Sequence, residues 1–575
     1  MRHAQFRSKT ACLKNALAAG ASLAALGSAG AAMAQVQQPS APLQLRTDYL
    51  GYSASASARV GYSDNINLQR DELADSELFL STLLTGGAVV STPRVTALFL
   101  GDLDLSYLTD QSDFVVNQDI AGTSTFTALD NWLYVDLSGS TTRQLVGDNA
   151  RFSGSINSAR GQRANVHSYS ASPYVYRRFA DLSSAEVRYR FTQVFVDDSN
   201  QALNPFGGGA FNDSRSNEVL ASYESGGLLN RARFRVTAYG NDTSEDTPEV
   251  VFDDGSGPQV LSDFEYRQGS VTGDAQFSIN QSFALSGAIG YDEVETDGLA
   301  ELFFDDDELS GFFWRAGFSA SPGRRSSIRL EYGERYGDDF INANINYRLS
   351  QRFVFTASAN RSFRTRAQSV SSQFRTTSRA ALDFADQLRE GQELSPRGVV
   401  DAANFFAGSL SGAGAVQTTG VAVADSASAF LRGGFGRTDL SVGGFYADEN
   451  FGFRQVETYG ARFEARRRLS RRLTAYGNVD YRRADTTVDL ATCEANPVVF
   501  GFDTTDPLFD AATQCANLTL NNGVTNTVIA RAGGAYRLFE DASVFIEGAH
   551  TERFSPNDLL EYSENSILAG ITLDF

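Results

Sequence analysis

Along most of the chain, apolar and polar residues alternate one by one over segments of roughly ten residues, and each segment ends in turn-forming residues. In 229–240, Ala232, Phe234, Val236 and Ala238 share one parity, with Arg231, Arg233, Arg235 and Thr237 on the other. In 186–192, Val187, Tyr189 and Phe191 oppose Glu186, Arg188, Arg190 and Thr192. In 473–482, Leu473, Ala475, Val479 and Tyr481 oppose Thr474, Asn478, Asp480 and Arg482. Successive side chains of a strand point to opposite faces, so each segment predicts a strand with one apolar face and one wet face. The connections alternate between short (177–182, 349–352, 468–472) and long (198–213, 243–261, 365–425, 487–523). A soluble β-sandwich shares the alternation but not this asymmetry, which is the habit of membrane barrels.

No stretch after the N-terminal segment reaches the roughly 18 apolar residues of a membrane helix. Mean hydropathy is −0.25. Only helices and closed barrels span lipid, because an unpaired backbone group there costs several kcal/mol. The predicted fold is therefore all-β, a transmembrane antiparallel up-and-down β-barrel. Strand candidates from Tyr49 onward number about 22, within a range of roughly 16 to 24. An even count puts both ends in the periplasm. The chain closes on Ile567, Ala569, Ile571, Leu573 and Phe575 at every second position. Ala569, Ile571, Leu573 and the terminal Phe575 resemble the signal by which the outer-membrane barrel assembly machinery recognises its substrates.

Residues 1–34 read as a secretory signal peptide: Arg2, Arg7, Lys9 and Lys14, then an Ala/Leu/Gly-rich run, then Ala32-Met33-Ala34. Residues 35–48 form a short periplasmic segment, too small for a plug domain, and 49–575 form the barrel. The segment 365–425 stands out by its length. It carries Arg364, Arg366, Arg375 and Arg379 and a helix-like stretch from Ala381 to Arg389. It is a candidate constriction loop, with an external flap as the alternative.

Charge narrows the function classes. Both lysines fall in 1–34, leaving 45 Arg against 69 acids in the remainder. This balance excludes a nucleic-acid partner. Arg188, Arg190, Arg231, Arg233, Arg235 and Arg482 fall on the wet parity and are the pore candidates. They would form either a cationic surface for anionic cargo or ion pairs with neighbouring acids. Acids gather in 241–263 and 292–308 without EF-hand spacing. They suit a solvated outer rim, with Ca²⁺ binding as the alternative. Phe303, Phe304, Phe312, Phe313 and Trp314 suit an interfacial aromatic girdle, with a slide for sugar rings as the rival reading.

Cys493 and Cys515 predict a disulfide in a secreted chain. No metal centre and no cofactor are expected. His167 and His550 have no nucleophile motif around them, so the reading is not an enzyme.

The segment Ala58-Arg59-Val60-Gly61-Tyr62-Ser63-Asp64-Asn65-Ile66-Asn67-Leu68 and hairpins such as Tyr347-Arg348-Leu349-Ser350-x-Arg352 make the chain similar to the β-barrel porin 2 family. These are bacterial outer-membrane proteins often associated with exopolysaccharide loci. The resemblance implies a passive conduit for exopolysaccharide, with a diffusion porin for small solutes or a structural surface anchor as alternatives. The partners implied are outer-membrane lipid and lipopolysaccharide, exopolysaccharide and a periplasmic export partner.

Overall fold

The computed structural model describes residues 49–575 apart from 146–150, 156, 159–162, 198–211, 227–230, 247–248, 253–256, 261–262, 299, 302, 324–325, 351, 366, 370–420, 496 and 498–508. The signal segment, residues 35–48 and most of 365–425 lie outside the described residues.

Twenty-two antiparallel strands pair with their neighbours in chain order. The first strand, Tyr49–Ser63, pairs with the last, Tyr562–Asp574, from Ser55↔Asp574 to Ser63↔Ser566, and the sheet closes on itself. Closure leaves no sheet edge facing lipid, which the backbone's hydrogen-bonding groups require. A separate hairpin, Glu249–Phe252 with Gly257–Val260, stands in one of the long loops.

Strand parity decides what faces lipid. Val187, Tyr189, Phe234, Val236, Val479 and Tyr481 are exposed on the outer face, as their spacing predicts. Ile567, Ile571, Leu573 and Phe575 of the terminal ladder join them. The opposite parity carries Ser, Thr, Asn, Arg and acids into the lumen. Where two inward positions meet across the first two strands, Phe79 lies over Gly61, and a Cβ at Gly61 would sit 2.2 Å from the ring. Glycine is required there by close approach.

Tyr49, Phe575 and the short turns share one rim, which loop asymmetry makes the periplasmic one. Strict short–long alternation fails at 109–112, 336–337 and 451–453, where the outer rim also turns tightly. Tyr336 and Gly337 both take positive φ (54° and 73°), the conformation of a two-residue hairpin turn. The acids of 292–298 are corrected as well: they belong to the strand Phe283–Gly298, not to a loop.

An apolar exterior around a polar interior, with the backbone closed, is the physical signature of a bacterial outer-membrane barrel.

Candidate functional site

The inner wall is built from residues of one parity on every strand, and many of its charges are paired within or across strands. Arg188 donates from Nε to Glu186 at 2.6 Å and from Nη1 to Asp136 at 2.7 Å, with its guanidinium 3.6 Å from the Tyr174 ring centroid. Arg190 meets Glu218 and Arg235 meets Glu224, each at 2.6 Å. Arg59 pairs with Asp104 at 2.6 Å, and Arg315 with Glu331 at 3.1 Å and with Asp274. Arg335 grips Asp292 at 2.6 and 2.9 Å. A guanidinium fork matches a carboxylate in two-point contact, so these pairs both neutralise the wall and stiffen it.

Of the predicted pore arginines, Arg188, Arg190 and Arg235 are thus paired within the wall and form no uncompensated cationic ladder. Arg231 and Arg233 sit exposed at the periplasmic end of their strand, and Arg482 lies over the ring of Phe152 at 4.4 Å. Arg364 is buried on the strand Phe353–Thr365. Arg366, Arg375 and Arg379 lie outside the described residues.

At the outer mouth two hairpins each part from one neighbouring strand while keeping the ladder to the other, up to Val423↔Asn450 in the first and Val166↔Val196 in the second, and send chain into the lumen. The ladder between Asp338–Arg348 and Phe353–Thr365 holds only from Ala343↔Ala359 to Arg348↔Val354, six pairs. Most other neighbours share nine to fifteen (for example Ser327↔Asn346 to Arg335↔Asp338 and Arg454↔Val488 to Arg468↔Thr474). Above that seam, both faces of 360–365 and of 421–424 are buried. Phe363, Val421 and Val423 pack with Phe264, Tyr266 and Val294, and with Ala300, Phe303, Phe304 and Leu309 of an outer loop. Phe363 meets Tyr266 edge-on at 5.1 Å. Beyond the strand, Ala367 reaches Ala164, Val166, Val194 and Val196 on the inner wall. Gln368 donates to Thr243 Oγ1 at 2.8 Å and to Ser216 Oγ at 3.2 Å, and accepts from the Tyr266 hydroxyl at 2.5 Å. The start of the long segment therefore crosses the mouth.

The second hairpin, Leu133–Leu145 with Arg163–Arg178, loses its ladder to the preceding strand above Ile120↔Thr141. The described residues of its connecting segment, 151–155 with 157 and 158, lie along the last three strands. Ser63, Ser153 and Ser158 all donate to the buried carboxylate of Glu564, the first of these at 2.7 Å. Gly154 N–H donates to Thr551 at 2.9 Å, and the Tyr562 hydroxyl to the Phe152 carbonyl at 2.7 Å.

One guanidinium bridges the first seam. Arg361 donates to Asp425 at 2.5 Å, to Asp338 across the gap at 3.3 Å, and to the Tyr336 carbonyl at 3.5 Å. Burial pushes the Tyr336 hydroxyl well above its usual range, against the pull of Arg335. In the outer loops, partial desolvation of an exposed side chain and the neighbouring Asp263 and Asp213 carboxylates raise the Asp246 carboxyl.

The aromatic cluster divides. Phe312 and Trp314 face outward, as a girdle requires, whereas Phe313 is buried facing the lumen and Phe303 and Phe304 pack inside the mouth. Cys493 and Cys515 form the disulfide, with Cα atoms 6.0 Å apart, between helices Leu490–Ala495 and Ala511–Asn522. His167 bonds Thr141 at 3.0 Å and His550 bonds Asn565 at 2.9 Å; both have outward parity. Among the described residues no group of three or more His, Cys, Asp or Glu converges as a metal would need.

Fold and lumen together define an outer-membrane β-barrel. No family model and no curated protein matches the chain. Among solved structures it is similar to the siderophore receptors PirA and PiuA from Acinetobacter baumannii. PirA shows 9% identity and a TM-score of 0.43, over 92% of this chain and 81% of that one. PiuA shows 10% identity and a TM-score of 0.45, over 92% and 82%. It is also similar to the ferric-catecholate import receptor Fiu from E. coli K12, with 10% identity and a TM-score of 0.46 over 93% and 82%.

Proposed function

We propose that the barrel is a passive outer-membrane channel for hydrophilic cargo, with exopolysaccharide on its way out as the leading cargo. The observation that carries this reading is the inner wall, where Ser, Thr and Asn stand among Arg–carboxylate pairs such as Arg188 with Glu186 and Asp136. Such a hydrogen-bonding surface offers donors and acceptors to sugar hydroxyls, and a conduit needs binding weak enough to release. With Arg188, Arg190 and Arg235 already paired, the wall suits weakly charged or neutral saccharides better than a strongly acidic polymer.

A second reading, a diffusion porin for small solutes, draws support from the inward hairpins, which narrow the outer mouth. The test is bilayer recording with saccharides of graded length added from the periplasmic side. Long neutral chains should cause transient current blockades that last longer as the chain lengthens. Blockade by mono- and disaccharides alone, with long chains inert, would favour the small-solute porin and overturn the polysaccharide reading.

A further inference from the structure

We infer that one sector of the periplasmic rim is a seat for anionic phospholipid, whose phosphates its arginines hold at the level of the periplasmic leaflet's headgroups.

Short turns around this rim end in exposed apolar side chains, among them Leu129, Leu182 and Ile279, with Phe435 71% and Phe539 75% exposed. An apolar tip at the end of a lipid-facing strand sits in the interfacial layer, so a cation beside it lies level with the phosphates. Charge on these turns is not spread evenly. The turn 279–282 carries none and 129–132 only Asp130, whereas one turn with its flank reads Arg466-Arg467-Arg468-Leu469-Ser470-Arg471-Arg472.

Backbone hydrogen bonds draw that turn and its neighbours into one row. Gly434 N–H donates to the Arg352 carbonyl at 3.1 Å, Arg468 N–H to that of Arg437 at 2.9 Å, and Arg537 N–H to that of Arg472 at 2.7 Å. Ser470 Oγ accepts from the N–H groups of Arg472 and Leu473 at 3.1 and 3.0 Å, which ties the middle turn down. Arg352, Arg437, Arg468, Arg471, Arg472 and Arg537 are all exposed. Among the described residues none of the six makes an ion pair, in contrast to Arg188, Arg190 and Arg335 of the lumen. The acids of the sector, Asp439, Glu540 and Asp541, are too few to compensate them.

A guanidinium fork without a carboxylate is free to grip a phosphodiester in two-point contact. Arg467 stands on the lipid side, in line below Phe463 on its strand, and faces Thr438 next to Phe435. Acyl chains hanging from phosphates held here would lie against Phe435, Phe463 and Tyr536, all exposed on the outer face. A row of cations continuous with an apolar wall matches both halves of a phospholipid. A soluble acidic partner would use only the cations.

The test is native mass spectrometry of the mature barrel released from nanodiscs of equal phosphatidylglycerol and phosphatidylcholine. Retained lipid should favour phosphatidylglycerol by at least about twentyfold. Each arginine near an anionic surface contributes roughly fivefold, so Arg437→Gln with Arg471→Gln and Arg472→Gln should cut that preference at least about tenfold. Arg94→Gln with Arg178→Gln and Arg231→Gln removes the same charge from other turns of the rim and should leave the preference within about twofold. Heat-dependent gel mobility establishes that each variant is folded before its lipids are counted. Equal retention of the two lipids by the natural protein would overturn the seat, and so would equal losses in the two triple variants, the mark of net charge alone.

Discussion

Replacing Asp292 by Ala tests how far the paired wall holds the barrel together. Asp292 and Arg335 are 2% and 10% exposed, and their two-point contact measures 2.6 and 2.9 Å. The guanidinium also lies 4.6 Å from the Phe313 ring centroid and 4.7 Å from that of Tyr336. Asp292→Ala removes both acceptors and strands a cation among apolar neighbours. Breaking one side of a buried pair costs about 3–5 kcal/mol. The two rings return roughly 1 kcal/mol or more by cation–π attraction, so about 3 kcal/mol is expected. The joint change Asp292→Leu with Arg335→Met removes both charges at similar volume and should fall within about 1 kcal/mol of the natural protein. Urea unfolding of the barrel refolded in lipid vesicles, followed by the fluorescence of Trp132 and Trp314, measures both. A single substitution costing under about 0.5 kcal/mol, or a double no better than the single, would refute the idea that these pairs stiffen the wall.

The alternation of Val187, Tyr189, Phe234 and Val236 was legible because lipid strongly favours apolar residues on the outer face, so parity alone placed them. The arginine partners were not legible, since Glu218 and Glu224 come from the next strand and a one-residue shift of register exchanges every pair. The acids of 292–298 looked like a loop by composition. Asp292 is in fact matched by Arg335, more than forty residues later, a distance no local pattern reveals. The arginines picked out at the long segment began at Arg364, whereas the bridging residue is Arg361. A signal for it existed: Arg361 and Asp425 stand on the outward parity, interrupting Phe353, Phe355, Ala357 and Ala359 on one strand and Leu431, Ala429 and Ala427 on the other. Charge on the lipid parity marks the point where a strand leaves the lipid. Gln368 had no signal, because its partners come from three distant strands.

Further outcomes follow from the same geometry. Cys493→Ser should destabilise the outer loop by about 3 kcal/mol, as a closed loop of 22 residues predicts. Protease should then cut within 489–524 while the barrel keeps its heat-dependent mobility on gels. Deleting Phe575 should sharply reduce the amount of protein in the outer membrane, read by fractionation, with the precursor accumulating in the periplasm. The paired wall predicts weak ion selectivity, so a salt gradient should give a reversal potential near zero, whereas Glu218→Gln should shift it toward anions by removing one negative charge from the lumen. Asp246 binds its proton more readily folded than unfolded, so this shift favours the fold at low pH and weakens it as pH rises through the folded value. Asp246→Asn should therefore raise the melting temperature at pH 7 and leave it unchanged well below the ordinary carboxylate range.

The most direct test of the account is single-channel recording from the refolded mature barrel. Discrete conductance steps are predicted. A barrel that is folded by its gel shift yet electrically silent would contradict the account.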